Sequence, residues 1–254
     1  MSVACQGCRN GEDFPMPFTM AFHPIVDVVA NEVWGYEALV RGVDGQGAGT
    51  VLAAVTEANR YVFDQACRVK AIELAGTKLP PSSKARLSIN FMPNAVYEPR
   101  ACIRATLAAA ARTQFDPRRL MFEFTENERM DDVAHVANII AEYKRMGFTT
   151  ALDDFGAGYA GLGLLAKFQP DLIKLDMELI RGVESSAARQ AIIGGVVGIA
   201  RQLEMTVLAE GVESEAELMT LKAAGIHLFQ GYYFAKPKLE TFQEEGELDH
   251  RLAA

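Results

Sequence analysis

The sequence predicts an α/β fold, a (β/α)8 barrel whose first strand runs antiparallel to the second, and three observations predict it. Eight apolar, strand-like runs follow one another, and six of them are reached through helical segments. The first two runs are separated only by Ala30-Asn31, a step short enough for a hairpin and nothing longer. Polar residues then recur at or near the ends of seven successive runs: Glu37, Asn90, Glu123, Asp153 with Asp154, Lys174, Glu210 and Gln230. In a barrel of this type the loops after the strand C-termini build the active site, so this placement points to one catalytic mouth. A doubly wound open sheet is the alternative that the same alternation allows.

The elements follow in order. Residues 18–29 and 32–41 read as the hairpin strands. Residues 49–79 carry helical periodicity with a break near 59–61, and 86–91 (Arg-Leu-Ser-Ile-Asn-Phe) reads as the third strand. Residues 94–112 are mostly helical and 120–125 is a strand. A helix over 131–146 places Val133, Val136, Ala137, Ile140 and Tyr143 on one face and stops at Gly147. Strands at 149–153, 172–175, 206–210 and 228–230 alternate with helices at 161–168, 186–203 and 214–224. The reading divides the chain into an N-terminal tail (1–17), the barrel (18–240) and an acidic C-terminal tail (241–254), with 240–249 as a solvated helix or tail. The barrel consumes the chain, so no sensor or cyclase segment is expected within it, and regulation would fall to the tails, to dimerisation or to a separate sensor or regulatory protein.

Composition narrows the function. With 254 residues, half of them hydrophobic, the chain can bury a large core. The longest uncharged apolar run, 191–200, is well short of the ~20 residues that a membrane span needs. The N-terminus lacks the basic and then apolar order of a signal peptide, which predicts a cytoplasmic protein without a membrane partner. A formal charge of −8 argues against binding a nucleic-acid polymer, although cations could mediate contact with an anionic ligand. Cys5 and Cys8 form one C-x-x-C pair with no second pair to complete a zinc site, so a reduced tail is expected. Cys67 and Cys102 lie in helical patterns as small core residues.

Several carboxylates in one mouth repel each other unless cations neutralise them. The set lacks His and Cys, and hard oxygen ligands favour Mg2+ or Mn2+ over Zn2+. Adjacent carboxylates such as Asp153-Asp154 cannot point the same way in regular β structure, so one could bridge two ions while the other reaches the second from the loop. Gly156-Ala157-Gly158 then forms a loop able to approach a substrate.

Glu37-Ala38-Leu39-Val40-Arg41 resembles the signature of the EAL domain, the cyclic-di-GMP phosphodiesterase family. Ser88-Ile89-Asn90, the Phe122–Glu126 block, Asp153-Asp154-Phe155-Gly156-Ala157-Gly158-Tyr159, Lys174-Leu175-Asp176, Ala209-Glu210-Gly211-Val212-Glu213 and Gln230-Gly231 follow in the family's order, over roughly residues 18–237. The resemblance implies a modified TIM (β/α)8 barrel with the first strand antiparallel, which hydrolyses cyclic-di-GMP to linear pGpG and lowers the level of that second messenger. It implies that Glu37, Asn90, Glu123 and Asp153 hold one divalent cation, and Asp153, Asp154 and Glu210 a second. Lys174 would contact the attacking water, with Gln230 supporting it. Arg41, Leu39, His23, Asp154 and Gln230 would meet the substrate. Glu126 and Glu213 would act from behind the ligands, Glu126 by anchoring the glycine loop, and a homodimer is implied.

Two positions depart from the family pattern. His23 stands where Gln usually precedes Pro-Ile; it keeps hydrogen-bonding capacity and is read as a tolerated replacement. Gly42 stands where an aromatic residue is common, which changes how a guanine would stack. His135, His227 and His250 have no metal-like spacing and are read as structural. The competing function is a catalytically weak or inactive cyclic-di-GMP receptor, and a bare interaction scaffold is weaker still.

Overall fold

The structure, a computed structural model, describes residues 13–92, 96, 98–125, 133–158 and 161–248. Its strands are β1 (Phe18–Asp27), β2 (Glu32–Gly42), β3 (Arg86–Asn90), β4 (Leu120–Thr125), β5 (Thr149–Phe155), β6 (Leu172–Leu175), β7 (Thr206–Ala209), β8 (Leu228–Phe229) and β9 (Lys238–Leu239). Strands β2 to β8 pair in parallel in sequence order, and β1 closes the ring by pairing antiparallel with both β2 and β8. This is the modified barrel with its first strand reversed.

Period-two alternation explains both the core and the mouth. Ile25, Met121, Ala151, Leu172, Leu208 and Leu228 point inward and form a dry plug, with Trp34 packed against it. Two residues further toward the top on each strand stand His23, Glu123, Asp153, Lys174, Glu210 and Gln230, counting backward on the reversed β1. Outward residues such as Phe122, Phe124, Leu152, Ile173 and Leu175 instead join the larger core under the helices. Each of these six strands thus supplies one apolar and one polar residue to the interior.

The helices are α1 (Ala48–Leu52), α2 (Arg60–Lys78), α3 (Pro99–Cys102), α4 (Arg104–Thr113), α5 (Val133–Arg145), α6 (Gly161–Leu165), α7 (Met177–Ile180), α8 (Ala187–Gln202) and α9 (Glu215–Ala223). The expected break in the first helical stretch is present between α1 and α2. Asn59 makes it, with its Oδ1 accepting from the Thr56 N–H at 2.8 Å and its Nδ2 donating to Ala54 O at 3.0 Å. Gly147, at φ +86°, ends the α5 segment as expected, and the short α6 stops at Leu165 rather than 168. Among the described residues no helix is long and apolar enough to cross a membrane.

Three boundaries differ for identifiable reasons. β1 ends at Asp27 because its carboxylate turns back to accept the Val29 and Ala30 N–H groups at 2.9 Å each, so the hairpin turn occupies 28–31 and is longer than a two-residue step. β5 runs on to Phe155, and its pairing with β6 carries an extra residue between Leu152 and Phe155. Phe242 and Gln243, at the start of the expected solvated tail, are instead packed on the barrel. β9 pairs antiparallel with β1, Phe242 stacks on Phe22 with centroids 3.9 Å apart, and buried Gln243 accepts the Tyr36 hydroxyl proton through its carbonyl at 2.8 Å. β8 and β9 together act as one strand along β1, interrupted by an excursion over 230–237.

Candidate active site

Lys174 is the centre of the polar layer. It is 1% exposed, and its Nζ lies 2.7 Å from Glu210 Oε1, 2.9 Å from Glu123 Oε2, 3.1 Å from Asp153 Oδ1 and 3.7 Å from Glu37 Oε1. Burial alone would lower the Lys174 pKa, yet the surrounding Asp153, Glu123, Glu210 and Glu37 carboxylates hold it well above the usual lysine value. One ammonium cannot balance four clustered carboxylates, three of them buried. Burial therefore pushes Glu123 up to about 8 and Glu210 well above the usual range, with the neighbouring carboxylates adding to the effect.

Glu37 is held in the opposite state. Burial favours its protonation, but Lys174 and His23, with hydrogen bonds from Asn90 Nδ2 and Gln230 Nε2 at 3.0 Å each, keep its pKa below the ordinary value. Gln230 Nε2 also lies 3.5 Å from the His23 carbonyl. The structure therefore brings Glu37, Asn90, Glu123, Asp153, Lys174, Glu210 and Gln230 together, although they span most of the sequence.

Asp154 follows them at the β5 irregularity. The extra residue opposite β6 and a left-handed Asp154 backbone (φ +54°) break the alternation that would turn adjacent side chains to opposite faces. Its N–H donates to Asp153 Oδ1 at 2.9 Å. Burial, followed by the Asp153 and Asp176 charges, raises Asp154 to about 6.

Other predicted residues are placed less directly. His23 is buried beside Glu37 in the β1–β2 register, and its Nε2–H donates to Ala235 O at 3.0 Å, tying β1 to the 230–237 excursion. Burial lowers its pKa, against the Glu37 carboxylate, which raises it. Arg41 donates to Val40 O at 2.7 Å. Leu39 lines, with Asn90, Met20, Phe63 and Met92, an apolar cavity of ≈ 580 Å³ beside the mouth. Glu213 is half exposed and pairs with Arg181 Nη2 at 2.8 Å, apart from the Lys174 cluster. Glu126, Cys5, Cys8 and His250 lie outside the described residues. The place of an aromatic side chain at Gly42 is filled by the Gln46 amide, 2.0 Å from where a Cβ would stand.

The residues fit a divalent cation. Among the described residues, oxygens of Glu37, Glu123 and Asp153 lie within 4.8 Å of one another, all buried. Glu123 Oε1 is buried there without a hydrogen-bond partner, a hard oxygen donor left over on a residue of the set.

Sequence reasoning missed two supporting pairs. Glu217 is buried and closes the loops after β6 and β7, and Ser214-x-x-Glu217 is the capping-box signature that marks it. Asp64 and Arg68, paired at 2.5 Å and both buried on α2, hold the chain after β3 through the Met92 N–H. Their signal is an opposite-charge i,i+4 step inside an apolar helix face.

Comparison with known proteins agrees with this geometry. The chain is 36% identical over 219 residues to the blue light- and temperature-regulated antirepressor BluF of Escherichia coli, covering 86% of this chain and 54% of that protein. It is 29% identical over 237 residues to a cyclic di-GMP phosphodiesterase of Pseudomonas aeruginosa, covering 90% and 40%. The chain thus spans about half the length, or less, of these curated relatives. Among solved structures, a standalone versatile EAL protein from Vibrio cholerae O395 in its c-di-GMP-bound form superposes with a TM-score of 0.87 at 52% identity, covering 92% of this chain and 98% of that one. The manganese and cy-diGMP complex of Klebsiella pneumoniae BlrP1 at pH 9.0 gives 0.84 at 35% identity, covering 92% and 59%. The EAL domain family model matches residues 16–237, nearly the whole barrel, and the chain belongs to the EAL domain family.

Proposed function

We propose that this protein is a divalent-metal-dependent phosphodiesterase that hydrolyses cyclic-di-GMP to linear pGpG. The observation that carries the reading is the convergence of four carboxylates, two amides and one lysine on a single interior layer of the barrel. Relatives named as cyclic di-GMP phosphodiesterases and solved relatives holding that ligand support the substrate. Glu37, Asn90, Glu123 and Asp153 would hold one Mg2+ or Mn2+, and Asp153, Asp154 and Glu210 the other. Bound there, such ions withdraw charge from the phosphodiester and make water acidic enough to attack at neutral pH.

The chain's own residues supply position. Asn90 and Gln230 fix both Glu37 oxygens, so that carboxylate arrives ionised and oriented. Lys174, kept cationic, steadies developing negative charge and orients the attacking water from the floor of the mouth. Arg41 exchanges its bond to Val40 O for a phosphate oxygen, while Leu39, His23 and Asp154 line the substrate. A homodimer, a cytoplasmic setting and a separate regulatory partner belong to the same reading.

A second reading, a receptor that binds without cutting, is favoured by one observation: a 36% identical relative is named an antirepressor. Purified protein incubated with cyclic-di-GMP and Mn2+ or Mg2+, with and without chelator, separates the two. Metal-dependent pGpG supports hydrolysis; tight binding with no product in either metal supports the receptor.

A further inference from the structure

The loops that follow β6 and β7 are joined by an ion pair to which catalysis assigns no part. Arg181, just after α7, donates through Nη1 to Glu217 Oε1 at 3.2 Å and through Nη2 to the Gly211 carbonyl at 3.1 Å. The same Nη2 meets Glu213 Oε1 at 2.8 Å. Glu217, 3% exposed, also accepts the Gly182 N–H at 3.2 Å, the Glu213 N–H at 2.9 Å and the Ser214 N–H at 3.2 Å. Together the pair fastens Gly182 to 211–214 across two barrel strands.

Glu210 lies inside that fastening. Its N–H donates to Leu175 O at 3.1 Å, which anchors it on the β6 side. The following residue, Gly211, is left-handed at φ +69°, and a Cβ there would stand 2.6 Å from Met177 Cβ, so the chain makes a tight turn against α7. Arg181 grips the carbonyl of that turn. The direction in which Glu210 leaves β7, toward Lys174, is thus set from its C-terminal side by Arg181 and Glu217.

We infer that Arg181 and Glu217 are positioning residues for the Glu210 carboxylate, holding the β7 turn in the geometry that divalent-cation binding requires. This rests on the phosphodiesterase reading. Partners behind metal ligands change metal affinity or activity by about 10–100-fold when removed.

The test uses the full chain with Arg181→Met, Arg181→Lys and Glu217→Gln. Arg181→Met leaves Glu217 its three backbone donors, and circular dichroism with a melting curve checks that the variant is folded. Mn2+ binding is read from the electron paramagnetic resonance signal of the free ion, apart from any turnover, and kcat and KM are measured for cyclic-di-GMP. Arg181→Met and Glu217→Gln are expected to weaken Mn2+ binding about 10-fold and lower kcat about 10-fold, with KM within about twofold of wild type. Arg181→Lys, which can still reach the Gly211 carbonyl, is expected to recover part of both. A folded Arg181→Met protein with wild-type Mn2+ binding and kcat overturns the positioning role alone. A wild-type chain that neither binds Mn2+ nor forms pGpG overturns the phosphodiesterase reading, and the positioning role with it.

Discussion

A single buried ammonium faces four carboxylates at Lys174, three of them buried. Burying several like charges is tolerable only if cations or protons offset them, so the mouth is built to take up positive charge. Glu37→Ala and Asp153→Ala are expected to cut product formation by at least about 10²-fold while the protein stays folded, as read by chromatography of pGpG and circular dichroism. Glu217 gives a separate residue-scale prediction. Burial favours its neutral form, but the Glu213 and Gly182 N–H groups, Arg181 and the Ser214 N–H lower its pKa. A carboxylate depressed in the fold stabilises above its ordinary value of about 4.3, and that contribution is lost as pH falls through the folded value. Urea midpoints should therefore fall less steeply below about pH 4.5 in Glu217→Gln than in wild type. The members of the polar layer were legible because each stands at or near the end of an apolar strand-like run, as Lys174 does after Leu172 and Ile173. The His23 bond to Ala235 and the Arg181 grip on Gly211 were not, because each joins residues far apart in sequence through geometry that only the closed barrel creates.

Elements carry the stability predictions. Phe242 lies on Phe22 and meets Tyr36 edge-on with centroids 5.0 Å apart, so it belongs to the barrel wall despite its acidic neighbours. Phe242→Ala is expected to cost about 2 kcal/mol in urea denaturation, below the 3–5 kcal/mol of a fully enclosed Phe, because part of the ring remains exposed. The Asp64–Arg68 pair on α2 behaves differently. Burial raises Asp64 while Arg68 lowers it, and the net shift is upward, which marks a carboxylate kept at some cost. Asp64→Ala would strand the Arg68 charge and is expected to cost about 3–5 kcal/mol, whereas Asp64→Leu combined with Arg68→Met should recover most of that loss in the same assay. Helices with clear stops, such as α5 before Gly147, were read from sequence within a residue or two. The β5 irregularity was not, since an extra residue in a strand leaves the local apolar pattern intact and appears only when the partner strand is in place.

At the scale of the molecule, the hairpin and the run of crossovers made the barrel readable, because parallel neighbours joined by helices have few ways to close. What composition concealed was the C-terminal stretch, whose charges suggested solvent while Phe242 and Gln243 were already committed to the wall. Mn2+ at 100 times its Kd should add about 2.7 kcal/mol of stability, or roughly 5–10 °C in Tm, and Glu37→Ala should abolish that rise in a melting curve. The reversed β1 has a further consequence for how the molecule is made. Its partners on one side are Phe229 and Leu239, synthesised some two hundred residues later, so the first strand of the barrel has its pairing along one edge deferred until the last strands. Ring closure therefore waits for the last strands of the barrel, and a nascent polypeptide halted before Leu239 presents an open edge to whatever chaperone attends it.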